Sequence, residues 1–190
     1  VGQSYYTKVD IKNYSLKWQP KSDSMLIETK GNSFDFYAAS SKLEGKLLVR
    51  QTGLFGFGKV KRQDSETESN NIKFGKEAFT ADMATLSVGN NLKVSKPALL
   101  GNKMNVSFNL ATGLVSIKTP TNLKLDDSTS LYFPYTAYKT SINSAEWDIN
   151  KKIITMKGDV KNTTFTSIEP SQEGLSFNGS EALYEIDKQS

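Results

Sequence analysis

The chain has 190 residues, 37% of them hydrophobic and 11% aromatic, enough for one domain with a substantial core. Histidine and cysteine are both absent, which removes Ser/His/Asp and Cys/His nucleophile systems, imidazole and thiolate zinc sites, and disulfides. Twenty-four Lys and Arg against twenty Asp and Glu leave a net charge of +4, too small and too dispersed to point to nucleic acid, and no apolar run reaches the roughly 20 residues that a membrane-spanning helix needs.

Frequent Gly, Asn, Ser and Thr suit many short strands with polar turns, so the expected class is all-β. Near the N-terminus, Ser15-Leu16-Lys17-Trp18 precedes a Lys30-Gly31-Asn32 corner. Alternation at Phe34, Phe36 and Ala38, then at Leu47 and Val49, predicts strands. The glycines of Gly53-Leu54-Phe55-Gly56-Phe57-Gly58 imitate a phosphate loop, and with Lys59 and Val60 an RNA-recognition segment. A phosphate loop needs a helix directly afterwards, whereas Lys59-Val60-Lys61-Arg62 continues as an alternating strand. The RNA reading lacks its flanking helices and its partner aromatic strand. A bulge, or close approach of a neighbouring sheet, is the expectation for these glycines.

Arg50, Lys59, Lys61 and Arg62 form the densest basic cluster, either a patch for lipid phosphates and anionic glycans or a solvated surface. Asp64, Glu66 and Glu68 share one face of an extended chain, as a hard-cation site or a solvated acidic edge. From Lys76 to Val88 a helix and a strand compete. Phe79, Met83 and Leu86 have helical spacing, while the strand needs a phase shift between Ala81 and Ala84, as a bulge supplies, and the Thr, Val and Phe content favours it.

Leu92 and Val94 predict a further strand, and the clearest alternation follows at Met104, Val106, Phe108 and Leu110. After Gly113, expected at positive φ in a tight hairpin, the pattern resumes with Val115 and Ile117. Asp126-Asp127 predicts a turn. Tyr132, Phe133, Tyr135 and Tyr138 around Pro134 are either core packing or an aromatic platform for sugars or protein. Later strands are expected at Leu131/Phe133, Ala145/Trp147/Ile149, Ile154/Met156, Leu175/Phe177 and Ala182/Tyr184/Ile186. Recurrence every 8 to 15 residues or so is the spacing of a sandwich, barrel or solenoid.

An internal repeat is the most informative feature. Ser144 to Lys152 aligns with Glu181 to Gln189 without a gap, matching Ala, aromatic, acid, Ile, Asn/Asp and Lys, and the segment from Ser15 is a looser third copy. Each copy reads as strand, turn, strand and Gly-Asn or Gly-Asp corner, whose apolar face is buried only when neighbours stack. Glu146 with Asp148, echoed by Glu185, is therefore read as solvent-facing rather than as an acid-base pair, because catalytic pairs seldom recur in every repeat.

The run Ser144-Ala145-Glu146-Trp147-Asp148-Ile149-Asn150 through Ile154-Thr155-Met156-Lys157-Gly158-Asp159-Val160 resembles the repeat of the OstA-like proteins, the periplasmic lipopolysaccharide-transport family. Segments around Thr52–Val60 and Leu131–Tyr135 are similar to large envelope proteins of Bacteroidetes. The resemblance implies an elongated, repeat-built β jelly roll of stacked antiparallel sheets. It also implies an exported protein, periplasmic or outer-membrane-associated, with lipid or lipopolysaccharide and other envelope proteins as partners. Successive rungs would then line an apolar slot, with Val106, Phe108, Phe133, Trp147, Ile149, Ile154 and Met156 as its lining; the plainer alternative is that these residues close on one another as a core. The whole of 1–190 is expected to form one β-repeat domain, a segment of a longer chain. No enzyme activity, catalytic residue, metal or cofactor is expected. The alternative function is a structural or adhesive surface module binding protein or glycan, and a carbohydrate-active enzyme comes third.

Overall fold

The computed structural model describes residues 6–89, 96–120, 130–159, 161 and 163–188. Among these residues the only helical pieces are two three-residue 3-10 turns, Pro20–Ser22 and Pro170–Gln172, and no helix is long and apolar enough to cross a membrane. The rest of the regular structure is strand: β1 (Val9–Asp10), β2 (Tyr14–Gln19), β3 (Ser24–Thr29), β4 (Phe34–Phe36), β5 (Ser41–Arg50), β6 (Gly53–Lys61), β7 (Ser65–Phe74), β8 (Ala78–Val88), β9 (Leu99–Asn109), β10 (Leu114–Lys118), β11 (Ser130–Phe133), β12 (Tyr138–Thr140), β13 (Ser144–Asp148), β14 (Ile153–Lys157), β15 (Thr164–Ser167), β16 (Ser176–Asn178) and β17 (Glu181–Glu185). They form one antiparallel sheet of 17 strands that is not closed into a barrel.

The five long strands β5 to β9 run as a meander, and each is bent near its middle. Gly45 faces Gly58 at φ values of 151° and 127°, and a Cβ on Gly45 would lie 2.0 Å from the carbonyl oxygen of Phe57. Only glycine fits so close an approach. The β6–β7 register shifts between Gly56 and Gly58, and the β8–β9 register shifts between Ala81 and Ala84, where Met83 takes φ 50°. A bulge puts an extra residue into one strand and so bends it. The glycine run and the 76–88 segment thus behave as strands interrupted by bulges, and the competing helix does not form.

Beyond the bend the sheet divides into two layers. Lys46 to Arg50 of β5 pair with β3 and Asn105 to Asn109 of β9 pair with β10, whereas Ser41 to Leu43 pair with β4 and Leu100 to Asn102 pair with β11. The first layer runs β2-β3-β5-β6-β7-β8-β9-β10-β13-β14-β17, and the second runs β1-β4, the other halves of β5 to β9, then β11-β12-β15-β16. At the usual strand spacing of about 4.8 Å, the eleven strands of the first layer extend roughly 50 Å across the sheet.

The register explains the core. One transverse row of the first layer reads Trp18, Met25, Val49, Leu54, Phe74, Phe79, Phe108, Val115, Trp147, Ile154, Tyr184. The three repeat aromatics therefore occupy equivalent places on one sheet. From Leu54 to Tyr184 the row is buried, each large side chain contributing about 1.5–3 kcal/mol. The second layer covers it: Phe36 stacks on Phe74 at 4.1 Å, and Phe133 lies 4.9 Å from Tyr184.

Ala38 departs from the sequence reading. It lies in the β4–β5 turn, where Tyr37, Ala38 and Ala39 all have positive φ, rather than on the strand with Phe34 and Phe36. Leu92, Val94, Asp126 and Asp127 lie outside the described residues.

Candidate functional site

The proposed slot residues are brought together, and most of them fill one another's space. Val106, Phe108, Phe133, Trp147, Ile154 and Met156 belong to a single buried cluster, with Ile149 packed against it from the edge. Phe108 meets Trp147 edge-on at 6.2 Å and stacks on Phe79 at 4.4 Å. Between β8 and β14 the interior is core.

Open space lies instead along the mouth, where the turns of the two layers meet opposite the bends. Over its first part the mouth is shut. The Tyr37 hydroxyl, from the second layer, donates across to the carbonyl oxygens of Ala78 at 2.7 Å and Gly75 at 3.2 Å. The Arg62 guanidinium sits 5.8 Å from the centre of the Phe108 ring while bonding Asp64 and Ser41 at 3.1 Å each. Further along, the layers part around a cleft of about 440 Å³, within the range of small-ligand sites. The second layer supplies Gln63, Asp64, Gly89, Ala98 and Tyr135, and the first supplies Trp147, Ile149, Lys152, Ile186 and Asp187.

Local turn chemistry places these groups. Gly113, at φ 74°, closes the β9–β10 hairpin and accepts the Ile149 N–H at 2.9 Å. In the β13–β14 turn the Lys151 N–H donates to Asp148 Oδ1 at 3.0 Å, and this bond holds the Asp148 carboxyl below its usual range. The Ile186 N–H donates to the Lys152 carbonyl at 3.0 Å, and Lys152 Nζ lies 3.0 Å from Asp187. On the facing wall the Gly89 N–H donates to the Asp64 carbonyl at 2.8 Å, and the Tyr135 hydroxyl donates to the Lys96 carbonyl at 2.9 Å.

Three buried side-chain polar atoms have no hydrogen-bond partner among the described residues: Asp35 Oδ1, Trp147 Nε1 and the Tyr184 hydroxyl. Leaving such a group unpaired costs about 1–3 kcal/mol, so each calls for a reason. Trp147 is 2% exposed and lines the cleft; Tyr184, 4% exposed, lies two strands away in the same row. Burial, and secondarily Tyr135, pushes the Tyr184 hydroxyl pKa up. The cleft thus offers apolar walls in Ala98, Ile149 and Ile186, with the buried Trp147 beside them, and charges whose partners are already in place.

The basic cluster resolves into separate pairs. Arg50 lies over Phe55 at 5.8 Å, Lys59 is 3.5 Å from Glu66 and 3.6 Å from Glu68, Lys61 is 2.8 Å from Glu44, and Arg62 is committed to Asp64. Those contacts also absorb the alternating carboxylates Asp64, Glu66 and Glu68. The hydrogen bond that Lys61 donates to Glu44 raises the Lys61 pKa, as expected of an ammonium with a carboxylate partner. Glu146 faces solvent and Asp148 serves its turn, so the two do not form a facing acid-base pair. Phe133 and Pro134 are buried, whereas Tyr132, Tyr135 and Tyr138 are half-buried and Tyr138 packs edge-on against the half-exposed Phe177 at 5.8 Å, so of these aromatics Phe133 belongs to the core and the tyrosines lie at its edge.

Sequence reasoning reached Trp147 and Ile149 but not Gln63, Gly89, Ala98 or Lys152. These four are turn residues with no pattern of their own, and only the folding-over brings them to one place. No protein-family model, no curated protein and no solved structure matches the chain, so its functional reading rests on this geometry and on the repeat.

Proposed function

We propose that this chain is a non-enzymatic β-repeat module of a bacterial cell envelope, exported to the periplasm or outer membrane, that holds the apolar part of a lipid or lipopolysaccharide-type amphiphile. The observation that carries this reading is the mouth cleft: its apolar walls run into the buried interior while Asp64, Lys152 and Asp187 stand among its lining with partners in place. An acyl chain entering such a cleft gains roughly 0.8 kcal/mol per buried methylene. The resemblance of the Ser144–Val160 run to OstA-like repeats supports the compartment and the ligand class. Organic extraction of the purified protein followed by mass spectrometry, together with titration by an acyl probe, tests the reading. Saturable binding that Ile149→Glu weakens at least tenfold is expected; no retained lipid and no saturable binding would remove it.

A second reading, a structural or adhesive module, is favoured by the ends of the sheet. Tyr14, Leu16 and Trp18 on β2 are half-exposed, as are Leu175 and Phe177 at the opposite end. Binding of a purified envelope protein or glycan that Trp18→Asp abolishes, in protein that binds no lipid, would favour this alternative.

A further inference from the structure

Resting on the mouth cleft as a lipid site, we infer that it seats a single acyl tail of about twelve to fifteen carbons, with no room for a second tail and no passage along the sheet. Its width is read at Gly89. A Cβ there would lie 3.7 Å from Ile186 Cγ2, already ordinary contact, so the two walls leave about one carbon atom of space at that point. Along the mouth the lining passes from Asp64, which precedes β7, by Gly89 after β8 and Ala98 before β9 to Tyr135 after β11. That is three strand steps, roughly 15 Å at the usual spacing, and an extended tail of about a dozen carbon–carbon bonds spans it.

Inward the cleft stops after one step of alternation. Two residues in from Tyr135 and Ile186 stand Phe133 and Tyr184, whose rings lie 4.9 Å apart, and two in from Ile149 stands Trp147, 2% exposed. Toward β5 the Tyr37 hydroxyl and the Arg62 guanidinium close the mouth, and Phe79, Phe108 and Trp147 fill the interior behind them. A tail therefore enters and leaves by the mouth. The volume agrees with these dimensions: at the roughly 30 Å³ that a water-sized group occupies, about 440 Å³ holds about fifteen such groups. The rim charges are already matched as Arg62 with Asp64 and Lys152 with Asp187, so they select no head group of either sign, and tail length and number are what the cleft discriminates.

Calorimetric titration with lysophosphatidylcholines whose tails run from about eight to about eighteen carbons, each below its micelle concentration, tests the assignment. Affinity should rise about fourfold per added methylene up to about twelve to fifteen carbons and then level off, at one lipid per protein. Didecanoyl phosphatidylcholine should bind within about threefold of its one-tailed decanoyl counterpart, because the second tail stays outside. Ile149→Ala, which removes part of the wall at the edge of the cluster, should move the levelling to longer tails. A levelling that this variant leaves in place seats the tail elsewhere and overturns the assignment; the length and tail-number comparisons stand without the variant should it fail to fold. Affinity still climbing at about eighteen carbons, or a two-tailed lipid bound about tenfold more tightly than the one-tailed, overturns the single-tail seat and leaves the lipid reading intact. Binding of none of these lipids overturns both.

Discussion

At the scale of single residues, two tyrosine hydroxyls make opposite contributions. Tyr37 closes the mouth by donating to Ala78 and Gly75, and burial raises its pKa well above the ordinary tyrosine value, against a smaller opposing effect of Arg62. The neutral phenol is thus the stabilising form. Its contribution is complete below the unfolded pKa of about 10 and is lost as pH rises toward the folded value. Tyr37→Phe is expected to lower unfolding free energy by about 1 kcal/mol near neutrality, and the difference from wild type should shrink above pH ~10 in urea titrations. A constant difference across that range would show that the hydroxyl bond is not the source. Tyr184 is the reverse case, a buried hydroxyl with no partner among the described residues. Tyr184→Phe should raise the urea midpoint by the equivalent of about 1 kcal/mol while packing on Phe133 is kept; a lower midpoint would mean that the hydroxyl has a stabilising partner.

Residue-level signals were legible where a residue type has one dominant conformational use. Gly113 was expected at positive φ in a hairpin and is found there. Tyr37, Ala38 and Ala39 also adopt positive φ, but their side chains advertise no such turn, and in the sequence alone the Phe34/Phe36 alternation continues through Ala38. An unpaired indole N–H has no sequence signature at all.

Among elements, the bend in the long strands governs everything built on it. Gly45 and Gly58 stand back to back, and a Cβ on either meets backbone oxygen, at 2.0 Å from Phe57 and 2.3 Å from Glu44. Backbone cannot rotate aside as a side chain can. Gly45→Ala should therefore cost about 3 kcal/mol or more, measured by denaturant unfolding. Gly31→Ala, where φ is positive but nothing lies within 4 Å, should cost only about 1 kcal/mol. Similar losses at the two sites would mean that Gly45 acts through its dihedral and not through the close approach.

The bulge between Ala81 and Ala84 was legible because apolar alternation changes phase there, and a strand can absorb that change only by adding a residue. The short strands β12 and β15 were not. Tyr138–Thr140 and Thr164–Ser167 are too brief and too rich in Thr, Ser and Lys to show a period, and they are held by their neighbours' hydrogen bonds.

For the molecule as a whole, the repeat was the strongest guide. Copies aligned only by spacing place Trp18, Trp147 and Tyr184 in one transverse row, as units that must stack to bury their apolar faces would require. What the repeat does not encode is how far the sheet folds over. That depends on bends contributed by Gly45, Gly58, Met83 and Lys103, and each half-strand's partner follows from it. The cleft is a product of this second level: Gln63 and Lys152 lie 89 positions apart and share its wall only because the layers face one another.

The facing of the two layers across that mouth can be measured directly, because the chain has no cysteine of its own. A Cβ at Gly89 would lie 3.7 Å from Ile186 Cγ2, so Gly89→Cys with Ile186→Cys places one thiol on each lip. Oxidation should consume both thiols in an intramolecular crosslink and suppress acyl-probe binding until a reductant restores it. Thiols that stay free under oxidant, or a crosslinked protein that binds the acyl probe with unchanged affinity, would contradict a ligand-holding mouth between these layers.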